Sequence, residues 1–102
     1  MSGKTSANEI VRRHGPALLE RFGHSPTPRE MDGLRKVTAA LLKLPHDRLK
    51  DSVIEARERE RVFKAKALAA RNSDEMHALR EREIWWRQRG ALRQMALDAR
   101  DT

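Results

Sequence analysis

The feature that most constrains this chain is a seam between Leu49 and Ala70. Leu49, Val53, Ala56, Glu60, Phe63, Ala67 and Ala70 recur at intervals of four, three, four, three, four and three residues. That spacing stacks side chains along one line of an α-helix, as the a and d positions of a coiled coil do. Glu60 is the one polar member. Arg57, Glu58, Arg59, Arg61, Lys64 and Lys66 cover the other faces, and Glu55 with Arg59 and Glu60 with Lys64 are four-residue pairs in the stabilising orientation. The segment is built to pack along one side and be wetted on the other.

Residues 44–100 read as two long helices folded back on each other at Asn72-Ser73. Asn72 suits the left-handed conformation that ends a helix, and Ser73 with Asp74 and Glu75 supplies a cap and first-turn negative charge for the next. Counting 100° per residue, the second helix has its apolar arc on Ala78, Ile84, Trp85, Ala91, Leu92, Met95, Ala96 and Ala99. Trp86 lies further round, beside Leu79 and Leu97. Between the two apolar strips run Arg82, Arg89, Arg93 and Arg100. In such a hairpin Glu60 falls near Trp85 and within reach of Arg82 or Arg89, a polar seam position of the kind that fixes register. The alternative is one continuous helix through Asn72-Ser73, which favours an elongated dimer.

The N-terminal part predicts two shorter helices. Ser6-Ala7-Asn8-Glu9 and Thr27-Pro28-Arg29-Glu30 both read as capping boxes, the second with proline at the first helical position, where its missing N–H costs nothing. Ile10, Val11, Leu18, Leu19 and Phe22 are the apolar positions of the first helix. Pro16, after Gly15, predicts a kink or two short helices, and Gly23 ends the run. The buried face expected of the second helix is Met31, Leu34, Val37 and Leu41, with Leu44 at its end and Gly33 either a weak point or a close helix contact. Leu44-Pro45 marks the boundary before the hairpin. Residues 1–5 and 98–102 are expected to fray.

At 102 residues the chain suits one domain, an N-terminal pair over residues 6–44 and a hairpin over 45–100. With two Phe, two Trp and no Tyr, its helical core is thin, so pairing with a second copy or docking on a partner would help it. No strand-like alternation, repeat or apolar stretch of membrane-spanning length appears, and residues 1–8 lack the apolar core of a signal peptide. Without cysteine there is no disulfide framework or thiolate metal site, in keeping with a reducing cytoplasm.

Lys and Arg number 22 against 15 Asp and Glu, a net charge of +7. Such a balance attracts polyanions or an acidic protein through long-range forces, without sequence specificity. Guanidinium groups, which predominate, suit bidentate contacts with phosphate or carboxylate. The stripe of Arg82, Trp86, Arg89, Arg93 and Arg100 can line phosphates while the indole stacks on a base. Arg57, Arg59, Arg61, Lys64, Lys66 and Arg71, against only Glu58 and Glu60, form the strongest local positive excess, which attracts a polyanion diffusely or serves solubility alone, with Arg57, Arg61 and Lys64 taken into the expected site. Each feature also has a plainer explanation, a solvated helix face whose tryptophan packs on a neighbour.

His14, His24, His46 and His77 have no partner at ligand spacing, so neither metal nor other cofactor is expected. There is no phosphate loop, nucleophile elbow or HExxH pair, and Ser6, Ser25, Ser52 and Ser73 read as caps, turns or exposed positions. An enzyme is not expected. A helix-turn-helix across residues 23–27 would carry two prolines in its turn. Basic and acidic residues are interspersed on every polar face, which argues against a membrane-surface helix.

Glu9-Ile10-Val11-Arg12-Arg13-His14-Gly15-Pro16-Ala17, with Arg21, Phe22 and Gly23, resembles the helical stretch preceding the zinc-binding region in one group of insertion-sequence transposases. The match covers about a quarter of the chain, and the cysteines that follow in that group are absent here. Zinc binding and transposition therefore do not carry over, and the resemblance implies at most a phage or mobile-element setting.

Taken together, the sequence predicts an all-α protein of about four helices, the last two a long antiparallel hairpin in a dimeric bundle. Its expected role is that of a non-catalytic nucleic-acid-binding accessory protein, taking DNA or RNA on Arg82, Arg89, Arg93, Arg57, Arg61 and Lys64 with Trp86 stacking. The alternative is a protein-interaction module, an inhibitor, anti-activator or adaptor, that offers Trp86, Leu79 and Leu97 to an acidic protein. A third possibility is a purely structural subunit.

Overall fold

The computed structural model describes residues 6–101 as four helices, α1 (Ala7–Arg21), α2 (Pro28–Leu42), α3 (His46–Leu68) and α4 (Ser73–Asp101), with no strand among the described residues. The fraying expected of residues 1–5 and 102 falls outside that range. Residues 98–101, expected to fray with them, instead continue α4.

Both predicted N-terminal caps form. Ser6 Oγ accepts from the Glu9 N–H at 3.2 Å and Thr27 Oγ1 from the Glu30 N–H at 3.3 Å. The glutamate carboxylates are engaged elsewhere, Glu9 with Arg13 at 3.2 Å and Glu30 beside His24 Nδ1 at 3.6 Å. Pro16 does not split α1, which runs through it as one helix. The carbonyl it orphans belongs to exposed Arg12, where water can serve it. At the helix end, the His24 N–H donates to the Leu19 carbonyl and the Gly23 N–H to that of Glu20. Gly23 has φ 77°. This is a Schellman close, and it turns the chain into α2.

The close approach of α1 to α2 occurs at Gly15, not at Gly33. A Cβ on Gly15 would lie 3.0 Å from Val11 Cγ1 and 3.1 Å from Leu34 Cδ2, whereas one on Gly33 would meet nothing within 4 Å. The buried face of α2 is also rotated from expectation. Val37 is exposed and Thr38 is fully buried in its place, because α2 packs against both α1 and α4 and so turns a wider arc inward.

The hairpin is the backbone of the molecule. Pro45 precedes α3 and its carbonyl accepts from the Leu49 N–H, after which α3 packs along α4. The reversal at its far end differs in detail from the expectation. No described residue other than Gly23 has positive φ, so Asn72 does not end α3 in a left-handed conformation. It caps α4 instead: Asn72 Oδ1 accepts from the Glu75 N–H at 2.8 Å, and Glu75 Oε2 accepts from the Arg71 N–H at 3.1 Å. Ser73 becomes the first helical residue. The chain reverses here, so the continuous-helix alternative falls.

The main core lies at the open end of the hairpin, where Leu41, Leu49, Val53, Ala96 and Leu97 are buried with Leu42, Leu44 and Leu92 packed around them. Ile10 and Val11 are buried in α1. Towards the turn the hairpin loses this cover, and Val62, Leu68, Met76, Ile84 and Trp85 stay exposed. The result is an elongated body of 56 × 32 × 17 Å, its long dimension set by α4, which at 1.5 Å per residue spans about 43 Å. No described helix is long and apolar enough to cross a membrane.

Candidate nucleic-acid interface

The face that α4 turns to α3 is not its most apolar one. Leu79, Glu83, Trp86, Gly90, Arg93 and Leu97 follow each other at four- and three-residue steps, and all are buried or half-buried. They oppose the α3 seam, whose members are likewise buried or half-buried from Leu49 to Ala70. Gly90 lets the helices close, since a Cβ there would sit 3.4 Å from that of Ala56. The apolar arc of α4 serves the N-terminal pair instead. Ala91, Met95 and Ala99 line a cleft shared with His14, Ala17 and Leu18 of α1, and Leu92 and Ala96 join the core with Leu41. Ala78, Ile84 and Trp85, at the turn end of the same arc, are left exposed.

Glu60 finds its partner in the seam, but the partner is Arg87. Arg87 Nε lies 3.0 Å from Glu60 Oε2, and Arg87 Nη2 lies 2.6 Å from Glu83 Oε2. The expected Arg82 and Arg89 project from the other flank of α4, as does Arg93, and the Glu60–Lys64 pair gives way to this cross-helix bridge. Glu83 is 5% exposed, the one buried charged residue among those described, and both its charge and that of Glu60 fall to a single guanidinium.

Helical position and contacts divide the seven anticipated site residues between two flanks of the hairpin. Arg82, Trp86, Arg89 and Arg93 lie on one. Trp85 and Trp86 meet edge to face, ring centroids 4.8 Å apart at 87°, and the Arg89 guanidinium lies 4.3 Å from the Trp85 centroid and 5.6 Å from that of Trp86. From α3, Arg59 approaches Trp86 at 5.8 Å. Nearer the turn, Arg82 and Lys66 approach the Phe63 ring at 6.0 and 5.4 Å. Distances of this order are those of cation–π contacts. Arg93 Nε donates to Ser52 Oγ and its Nη1 to the Arg89 carbonyl, while Arg100 reaches the Leu44 carbonyl. Burial, then the neighbouring charge of Arg89, pulls the Arg93 pKa below the usual guanidinium value, with Glu55 opposing. Arg89 Nε is buried and has no hydrogen-bond partner.

Arg57, Arg61 and Lys64 point the other way. Arg57 donates to Gln94 at 3.2 Å and lines the cleft between α1 and the hairpin, about 650 Å³ in volume, with Arg21, Glu60, Arg87 and Asp98. Arg61 pairs with Glu58 at 3.3 Å. On that flank Arg57, Arg61, Lys64 and Arg87, with Arg21 in the cleft and Arg80 one heptad before Arg87, face Glu58, Glu60, Glu83 and Asp98. On the tryptophan flank, Arg59, Lys66, Arg82, Arg89 and Arg93 face Glu55, whose carboxylate is 4.0 Å from Arg59. The anticipated site is therefore two surfaces, both with more cations than acids, and the tryptophan flank is the one whose cations lie against aromatic rings.

The roles of the two tryptophans are exchanged relative to the sequence reading. Trp86 sits in the seam, and Trp85, placed on the packed arc, is 49% exposed. Leu97, offered with Trp86 and Leu79 as an apolar docking anchor, is a core residue at 8% exposure and cannot serve as one. Sequence reasoning left Arg59 and Lys66 in a diffuse basic cluster and Phe63 in the seam, because they become neighbours of Arg89 and Arg82 only when α3 closes on α4. Among the described residues no group of three or more His, Asp or Glu side chains could hold a metal ion. Compared with known proteins, the chain matches no family model, no curated protein and no solved structure.

Proposed function

We propose that this protein is a non-catalytic, cytoplasmic nucleic-acid-binding accessory protein, and that the tryptophan flank of its hairpin is the binding surface. The observation that carries the reading is the contrast between the two flanks. On one, Arg61 and Arg87 are paired with acids one turn or one helix away and Arg57 is bonded to Gln94. The other has Arg59, Lys66, Arg82, Arg89 and Arg93, with Glu55 at 4.0 Å from Arg59 and several of the cations held against aromatic rings. Guanidinium groups fixed in this way lose less freedom when they engage phosphate than free surface arginines do.

The test is binding of labelled duplex DNA, single-stranded DNA and RNA at two salt concentrations, with charge reversals on each flank. Arg82→Glu/Arg89→Glu is expected to abolish binding while the helical circular dichroism persists. Arg61→Glu/Lys64→Glu, on the other flank, is expected to weaken it by several-fold at most. Absence of binding at low salt, or equal losses from the two double variants, would remove the reading. Binding to poly-glutamate in place of nucleic acid would instead favour an acidic protein partner.

The reading extends to a homodimer, supported by the exposed Val62, Leu68, Met76 and Ile84 towards the hairpin turn. Sedimentation equilibrium giving the mass of one chain at high concentration would dismiss it.

A further inference from the structure

We infer that the hairpin is selective for single-stranded over duplex nucleic acid, with Trp85 as the stacking platform. This rests on the nucleic-acid reading and adds to it the strandedness of the ligand and a residue that carries it. The seam holds Trp86 half-buried between the helices, with Arg59 and Arg89 on its ring. Trp85 differs in kind. Its indole projects from the flank with about half its surface open, its position fixed on one side by the edge-to-face contact with Trp86 and on another by the guanidinium of Arg89 at 4.3 Å.

A rigid, half-open indole is of no use to a protein that only tracks a duplex backbone, because paired bases present no free face. An unpaired base does present one, and stacking on an aromatic side chain is insensitive to which base it is. The surrounding charge fits the same ligand. Arg82 lies one turn before Trp85, beside Glu81, and Arg89 and Arg93 lie one and two turns beyond it. Phosphates on either side of a stacked base thus meet a guanidinium in both directions along α4. Arg89 Nε, buried beside the rings without an acceptor, leaves the outer nitrogens of that guanidinium as its route to a phosphate.

The only tryptophans in the chain are these two, so intrinsic fluorescence reports on the site directly. The experiment titrates the full chain with a twenty-nucleotide oligothymidylate, the corresponding oligouridylate, and a duplex of equal length, reading emission and fluorescence anisotropy for wild type, Trp85→Ala, Trp85→Phe and Arg82→Gln/Arg89→Gln. Expected are quenching by the single strands and tighter binding of them than of the duplex. Trp85→Ala should cost about tenfold in single-strand affinity, the size of one lost stack, with duplex affinity falling far less, through the loosened Arg89 alone, and Trp85→Phe recovering most of the loss. The arginine variant should lose affinity for every ligand.

Equal binding of single strand and duplex, or a Trp85→Ala variant that binds oligothymidylate as wild type does, overturns the stacking inference and leaves the binding surface standing. Failure of wild type to bind any of the three overturns the nucleic-acid reading itself, and this inference with it. Half-exposed Trp85 is not a core residue, so Trp85→Ala should keep the wild-type circular dichroism.

Discussion

Removing Arg87 isolates the energetics of the polar seam. Its guanidinium bridges Glu60 at 3.0 Å and Glu83 at 2.6 Å, and the Glu83 side chain is 7% exposed while those of Glu60 and Arg87 are 26% and 42% exposed. Arg87→Met keeps most of the stem and strands both carboxylates. A fully buried pair broken in this way costs roughly 3–5 kcal/mol. Water already reaches Arg87 and part of Glu60, which argues for about half that, and we expect ~2 kcal/mol. For a domain of this size the equivalent change in Tm is about 10 °C. Urea denaturation followed by circular dichroism measures it.

A second variant separates stranded charge from lost packing. Glu83→Met/Arg87→Met leaves no buried carboxylate, and Glu60 can turn to Lys64 one turn along α3. The double variant should therefore be more stable than Arg87→Met alone, recovering at least half of the loss. If Arg87→Met stays within about 0.5 kcal/mol of wild type, or the double variant is the weaker of the two, the polar seam does not work as described.

Other substitutions test the packing. Gly33→Ala should stabilise α2 by up to about 1 kcal/mol, since the new methyl meets nothing, while Gly15→Ala should destabilise by about 1 kcal/mol as the α1–α2 contact is forced apart. Thr38→Val should raise stability by about 1 kcal/mol, because the Thr38 hydroxyl is buried without a hydrogen-bond partner. Asn72→Ala should lower it by about 1 kcal/mol through loss of the α4 cap, whereas Ser73→Ala should be nearly silent. Chemical denaturation reads all five.

The parts of the fold written in local chemistry were legible. Ser6 and Thr27 cap helices because a hydroxyl three residues before a glutamate has a definite local use. Gly23 closes α1 because no other nearby residue accepts its φ so readily. The α3 seam was legible because a single apolar line leaves one way to pack. Helix α4 was harder because it has two buried faces. Its richer arc of Ala91, Leu92, Met95 and Ala99 meets α1 and α2, while its face to α3 is broken by Glu83, Gly90 and Arg93 and so did not register as a seam. That misplaced rotation put Trp85 inside and Trp86 out, and it assigned Glu60 to Arg82 or Arg89 in place of Arg87. The register itself was nearly right, which is why Arg82, Arg89 and Arg93 still fall together on one surface. Arg57, Arg61 and Lys64 do not, because their stripe on α3 lies across the seam from that surface.

If the tryptophan flank binds a polyanion through its arginines, the affinity must depend on salt. Oligothymidylate binding is measured across a series of salt concentrations for wild type and for Arg82→Gln/Arg89→Gln. Wild type should show a steep linear fall of log affinity with log salt, and the variant a slope shallower by about 1.4, the loss of two phosphate contacts to a single strand. A variant with the wild-type slope and affinity would contradict binding through these arginines.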